Sequence, residues 1–146
     1  MWIAQGNIWD FYKQNQNMAI CVTTNGIVTK YNKLVMGAGI AKDARDRFKG
    51  IDFKLGELVK KYGNIPFYLD DIGIITFPTK HDYRFNSNIE LIKNSAKIIK
   101  LMVESGTFET IYSPWPGCGN GGLSKDFVRP ILEEIWDSDD FVIVEQ

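Results

Sequence analysis

Residues 110–136 read T-I-Y-S-P-W-P-G-C-G-N-G-G-L-S-K-D-F-V-R-P-I-L-E-E-I-W. Thr110 to Tyr112 has the composition of a strand. Asp126 to Trp136 reads as a helix, with Phe127, Ile131, Leu132, Ile135 and Trp136 apolar. Between them, Pro114-Trp115-Pro116-Gly117-Cys118-Gly119-Asn120-Gly121-Gly122-Leu123 packs four glycines into six residues. Glycine loses more freedom on folding than any other residue, so a loop that only connects would not concentrate them. Pro114 and Pro116 stiffen the approach. The functional reading is a cradle of backbone N–H groups; the plain one is a glycine turn packed under a sheet.

The same alternation continues on either side of this unit. Asn88 to Glu104 is the clearest helix, with Ile89, Ile92, Ala96, Ile99 and Val103 at three- and four-residue spacing. Ser87 or Asn88 caps it and Gly106 ends it. Phe67 to Leu69 and Ile72 to Phe77 read as paired strands about a tight turn at Asp70-Asp71. Ile40 to Phe48 and Phe53 to Tyr62 read as helices, the second stopped at Gly63-Asn64. Trp2 to Ala4, Ala19 to Thr23 and Phe141 to Val144 are further strands. The pattern predicts one α/β domain over residues 1–146, with helices on both faces of a mostly parallel or mixed sheet. Ligands are then expected where loops leave the C-terminal ends of strands.

Composition narrows the function. A 146-residue chain suits one core. It holds no apolar run long enough for a membrane span, and Met1 to Asp10 has no signal-peptide pattern, so a cytoplasmic protein is expected. Two distant cysteines, Cys21 and Cys118, and a single histidine make no metal pattern, so no metal or cofactor is expected. A net charge of −1 argues against gripping long duplex DNA, though not against contact with one modified base.

Four further segments have residues suited to chemistry. Val35-Met36-Gly37-Ala38-Gly39-Ile40-Ala41 sets small residues before a helix start, where unpaired N–H groups and the helix dipole suit a phosphate; a tight turn is the alternative. Ile75-Thr76-Phe77-Pro78-Thr79-Lys80-His81-Asp82 puts Lys80, His81 and Asp82 just past a strand. There Lys80 could neutralise phosphate, attack as a nucleophile or donate a proton, or all three residues could be a solvated turn. In Thr23-Thr24-Asn25-Gly26, Asn25 fits a sugar hydroxyl or a turn; in Gln5-Gly6-Asn7-Ile8, Asn7 fits a base amino group or a cap. The tryptophans read as core residues, with Trp115 singled out by its place in the glycine loop.

Taken in order, Gly6-Asn7-Ile8, V-M-G-A-G-I-A over 35–41, F-P-T-K over 77–80 and G-C-G-N-G-G-L over 117–123 resemble the macrodomain family. The arrangement is most similar to its DNA ADP-ribosyl glycohydrolase branch, of the DarG type. The resemblance implies a three-layer α/β/α fold with a central mixed sheet and ADP-ribose in a cleft across the strand ends. It assigns Met36, Gly37, Ala38, Gly39 and Ile40 to the diphosphate and distal ribose. Pro116, Gly117, Cys118, Gly119, Asn120, Gly121, Gly122 and Leu123 would wrap the phosphates and distal ribose. Asn7 and Ile8 would meet the adenine. Asn25 would lie near the distal ribose, although the stretch Ile27 to Leu34 alters the spacing there. Lys80 matches the branch's catalytic lysine.

The resemblance therefore implies hydrolysis of the bond joining ADP-ribose to a nucleobase or protein side chain, with DNA favoured over protein. A stand-alone monomer without cofactor is expected. Two positions depart from the family. Asn7 stands where an Asp is usual, which keeps an acceptor oxygen but loses its charge. Gly121 stands where protein-directed relatives carry an assisting Asp, so a Lys–Asp mechanism is not supported. The alternatives are a non-catalytic ADP-ribose reader or sequestering protein, and a phosphatase acting on ADP-ribose 1″-phosphate.

Overall fold

A computed structural model describes residues 1–13 and 17–146 of the chain. Its organising strand is Met18–Thr24, M-A-I-C-V-T-T. Ala19 and Cys21 point into one apolar cluster; Ile20 and Val22 point into another. A strand covered on both faces reads as a continuous apolar run, which is why this segment shows no polar alternation.

In chain order the elements are β1 (Trp2–Gln5), β2 (Met18–Thr24), α1 (Gly39–Arg47), α2 (Ile51–Tyr62), β3 (Tyr68–Leu69) and β4 (Ile74–Pro78). Then follow α3 (Ile89–Glu104), β5 (Thr110–Ser113), α4 (Lys125–Ile135) and β6 (Phe141–Glu145). Short 3-10 turns occupy Ile8–Phe11 and Gly119–Gly121. The sheet order is β1-β6-β5-β2-β4-β3. All neighbours are parallel except β3, which runs antiparallel to β4. The sheet is mixed and the domain α/β, as expected.

Helices α3 and α4 cover one face through Ile92, Ala96, Ile99, Val128 and Leu132. Helices α1 and α2 cover the other through Ala41, Ala44, Ile51 and Leu55. Each fully buried aliphatic side chain contributes about 1.5–3 kcal/mol. Trp136 anchors the first layer: its ring stacks on Phe141 at 4.7 Å and its Nε1–H donates to Ala96 O at 3.0 Å.

Some local expectations shift. The turn between β3 and β4 runs on through Ile72 and Gly73, and Gly73 has φ +67°, a left-handed conformation that glycine adopts without strain. In α4 the buried face carries Val128 and Leu132, while Phe127 is 48% exposed. Trp2, on the sheet edge, is exposed rather than core. The 27–34 segment packs on α2 where Gly56 meets the Asn32 carbonyl with no room for a side chain.

Candidate functional site

The parallel strands β2, β4 and β5 deliver three loops to one edge of the sheet, and a cavity of about 640 Å³ opens between them. After β2, Asn25 lies buried with both polar atoms engaged. Its Nδ2 donates to Val35 O at 2.8 Å and its Oδ1 accepts from Ile27 N–H at 2.9 Å. This side chain ties the start of the 27–34 segment to its end, and so sets where the first glycine loop begins. That loop runs into α1 through Ala38, whose side chain gives no capping bond. The first N–H groups of α1 have no partner within the helix, and Gly37, Ala38, Gly39 and Ile40 around that helix start line the cavity.

After β5, the second glycine loop folds on itself. Leu123 N–H donates to Gly117 O at 3.0 Å and Gly122 N–H to Gly119 O at 3.1 Å. Gly117 has φ +78°, and a Cβ there would lie 2.6 Å from Ile92 Cδ1. Both conformation and space demand glycine at that position. Gly121 differs: its φ is unexceptional, but a side chain there would strike Ser87 Oγ. Ser87 N–H donates to Gly121 O at 2.8 Å, which draws the start of α3 beneath the loop.

After β4 comes Lys80. Its Nζ donates to Asn120 O at 3.3 Å, bridging to the second glycine loop. Among the described residues, Lys80 is the only charged side chain in the wall of this cavity. His81 is exposed and does not line it. Asp82 turns away to pair with Arg84 at 2.6 Å, and the Arg84 hydrogen bonds hold its carboxyl down at about 2.

A second cavity of about 340 Å³ adjoins the first, sharing Ile40, Pro114, Trp115 and Cys118 as its wall. Asn7, Ile8 and Gly119 line it, together with Asp43, Lys125 and Glu145. Asn7 Oδ1 accepts from Trp9 N–H at 3.0 Å and so caps the 3-10 turn. Trp115 Nε1–H donates to Glu145 Oε2 at 3.0 Å, and Lys125 Nζ reaches the same oxygen at 3.1 Å. Those bonds, with one from Gln5, hold the Glu145 carboxyl below its ordinary range. Burial raises the Cys118 thiol above its own.

Of the residues singled out in the sequence, Asn25, Gly37, Ala38, Gly39, Ile40, Lys80, Gly117, Cys118, Asn120 and Gly121 meet in the larger cavity. Asn7, Ile8 and Gly119 meet in the smaller. Met36, Pro116, Gly122 and Leu123 line neither. Met36 is core, and Leu123 packs against the α3–α4 layer. Thr79, Tyr83 and Ser87 line the larger cavity without having been singled out for it. Ser87 reads from sequence only as a helix cap, but Asn88 takes that role by accepting from Leu91 N–H at 3.1 Å. Among the described residues no group of three or more His, Cys, Asp or Glu could hold a metal, and no helix is long and apolar enough to cross a membrane.

No protein-family model and no curated protein matches the chain. Solved structures do. The macrodomain of Mycobacterium tuberculosis DarG aligns with a TM-score of 0.75 at 24% identity, over 98% of this chain and 96% of that one. The macrodomain of Thermus aquaticus DarG gives 0.75 at 21%, over 99% and 97%. Thermosipho africanus DarTG in complex with ADP-ribose gives 0.75 at 19%; 99% of this chain matches 41% of that longer one. The likeness runs end to end and establishes the macrodomain fold.

Proposed function

We propose that this chain, a macrodomain by fold, binds ADP-ribose across its two adjoining cavities and hydrolyses the bond that joins ADP-ribose to a macromolecule. The observation that carries the reading is the larger cavity. It lies between two glycine loops and a helix start, and its only charged wall residue among those described is the cation Lys80. Backbone N–H groups, with no carboxylate to repel it, suit a diphosphate, and the Lys80 ammonium is left for the chemistry. The smaller cavity, with Asn7, Ile8 and Trp115, suits the adenosine end.

The same wall argues for the chemistry. Ser87 fills the space where an acid at position 121 would stand. Lys80 therefore works without a partner carboxylate from that loop. Water adds its oxygen to the anomeric carbon, the bond to the acceptor breaks, and the acceptor departs with a proton. The Lys80 ammonium gives the departing acceptor that proton, and the attacking water returns one to the amine. For the acceptor, Tyr83 lines the cavity at 47% exposure, and Phe85 follows at 67% with Arg84 between them. Two exposed aromatic rings in one short segment suit stacked bases, which favours a single-stranded nucleic acid over a protein.

Calorimetric titration with ADP-ribose, with AMP and NAD as controls, tests the binding. A Kd in the micromolar range, about −8 kcal/mol, is expected. Release of ADP-ribose from a base-modified single-stranded oligonucleotide, compared with a modified protein, tests the reaction. Lys80→Ala is expected to keep binding and lose hydrolysis. Equal turnover by that variant refutes the role of Lys80, and binding with no turnover on either substrate leaves a reader.

A further inference from the structure

Lys80 is held at its main chain as well as at its ammonium group. Thr79 N–H and Lys80 N–H both point at Thr24 O, at 3.0 and 3.4 Å. His81 O accepts from Gly26 N–H at 3.2 Å. Lys80 O itself accepts from Asn64 Nδ2 at 3.0 Å. Asn64 belongs to no glycine loop; it follows the end of α2 and reaches Lys80 only through the fold. Gly26 admits it, since a Cβ at that position would lie 2.9 Å from Asn64 Nδ2 and 3.0 Å from His81 O. The φ of Gly26 is ordinary, so space alone requires the glycine.

The other atom of the Asn64 amide gives the argument its direction. Asn64 Oδ1 is buried without a partner, which destabilises the fold. A side chain selected for stability would not bury an unpaired oxygen in order to donate one bond. We propose that Asn64 is a positioning residue: by gripping the Lys80 carbonyl it sets where Lys80 Nζ stands in the cavity. The inference rests on the assignment of Lys80 as the group that carries the chemistry.

The test separates stability from rate. Asn64→Leu keeps the shape and removes the unpaired acceptor, but it also takes the donor from the Lys80 carbonyl, so a modest fall in Tm is expected whichever role Asn64 has. A merely structural asparagine leaves single-turnover release by the folded protein at the wild-type rate. A positioning one leaves the ADP-ribose Kd near wild type while single-turnover release from the ADP-ribosylated oligonucleotide slows about tenfold or more. Gly26→Ala, which displaces the amide sterically, is expected to slow the same step. In parallel, the ¹³C-dimethyl resonance of Lys80, after reductive methylation and assignment with Lys80→Arg, is expected to shift in Asn64→Leu. Turnover by Asn64→Leu at the wild-type rate overturns the proposal, as does an unmoved Lys80 resonance. If the wild-type protein does not cleave the oligonucleotide, the hydrolase reading falls, and the Lys80 resonance still decides whether Asn64 positions it.

Discussion

Gly37→Val separates the two roles a glycine can play in this site. A Cβ built at Gly37 meets nothing within 4 Å, and the φ of Gly37 is not in the left-handed region. The β-carbon therefore strikes no neighbour and the backbone is not strained, and stability is expected to change by no more than about 0.5 kcal/mol. The open space beside Gly37 is the wall of the larger cavity. A valine there occupies volume meant for the diphosphate. Forcing extra methyl groups into a filled site costs about 1–3 kcal/mol, or roughly 5- to 150-fold in Kd. Gly117 is the contrast. Its φ of +78° and the 2.6 Å approach to Ile92 Cδ1 make Gly117→Ala a folding defect, with about 1–2 kcal/mol for the backbone and 1–3 for overpacking. Urea denaturation and ADP-ribose calorimetry on both variants give the assay. The expected pattern is a stable Gly37→Val with poor binding, and a destabilised Gly117→Ala. A Gly37→Val protein that binds ADP-ribose with wild-type affinity refutes the assignment of the first loop to the diphosphate.

Three further outcomes follow from the geometry. Gly121→Ala is expected to lose about 1–3 kcal/mol because its side chain strikes Ser87 Oγ, and Ser87→Gly is expected to restore most of that loss in the double variant; simple additivity in urea melts counts against the packing argument. Ser87→Ala alone removes a buried hydroxyl that has no partner, so its Tm should equal or exceed wild type. Asp82 has its carboxyl held at about 2 by Arg84, below its ordinary 3.8. The stabilisation it provides is present above the unfolded value and is lost as pH falls through about 2. In acid melts the Asp82→Asn protein should therefore show a smaller fall in Tm between pH 5 and 2 than wild type, and identical curves would remove Asp82 from the acid response.

Local pattern carried much of the domain. Alternating apolar periods marked the strands and helices, because a strand covered on both faces must be apolar throughout and a helix must repeat near every third or fourth residue. The helix faces were less legible. Phe127 and Val128 are adjacent and both apolar, and only the position of α3 decides that Val128 is buried while Phe127 stays half exposed. Trp2 has the composition of a core residue, yet its place on an edge strand leaves it in solvent.

By itself the sequence determined the alternating α/β order, the two glycine loops and a lysine just beyond a strand, since all three are set by local spacing and backbone freedom. Tertiary structure decided which of these residues meet. The strand order β1-β6-β5-β2-β4-β3 brings the chain's two ends together, so Glu145 of β6 reaches Trp115 and Gln5. It lays Asn64 against Lys80 across 16 residues, and Ser87 beneath Gly121. It also turns Met36 and Leu123 into packing rather than cavity wall. These contacts join residues far apart in the chain. They arise where packed layers force one segment against another, so no local pattern announces them.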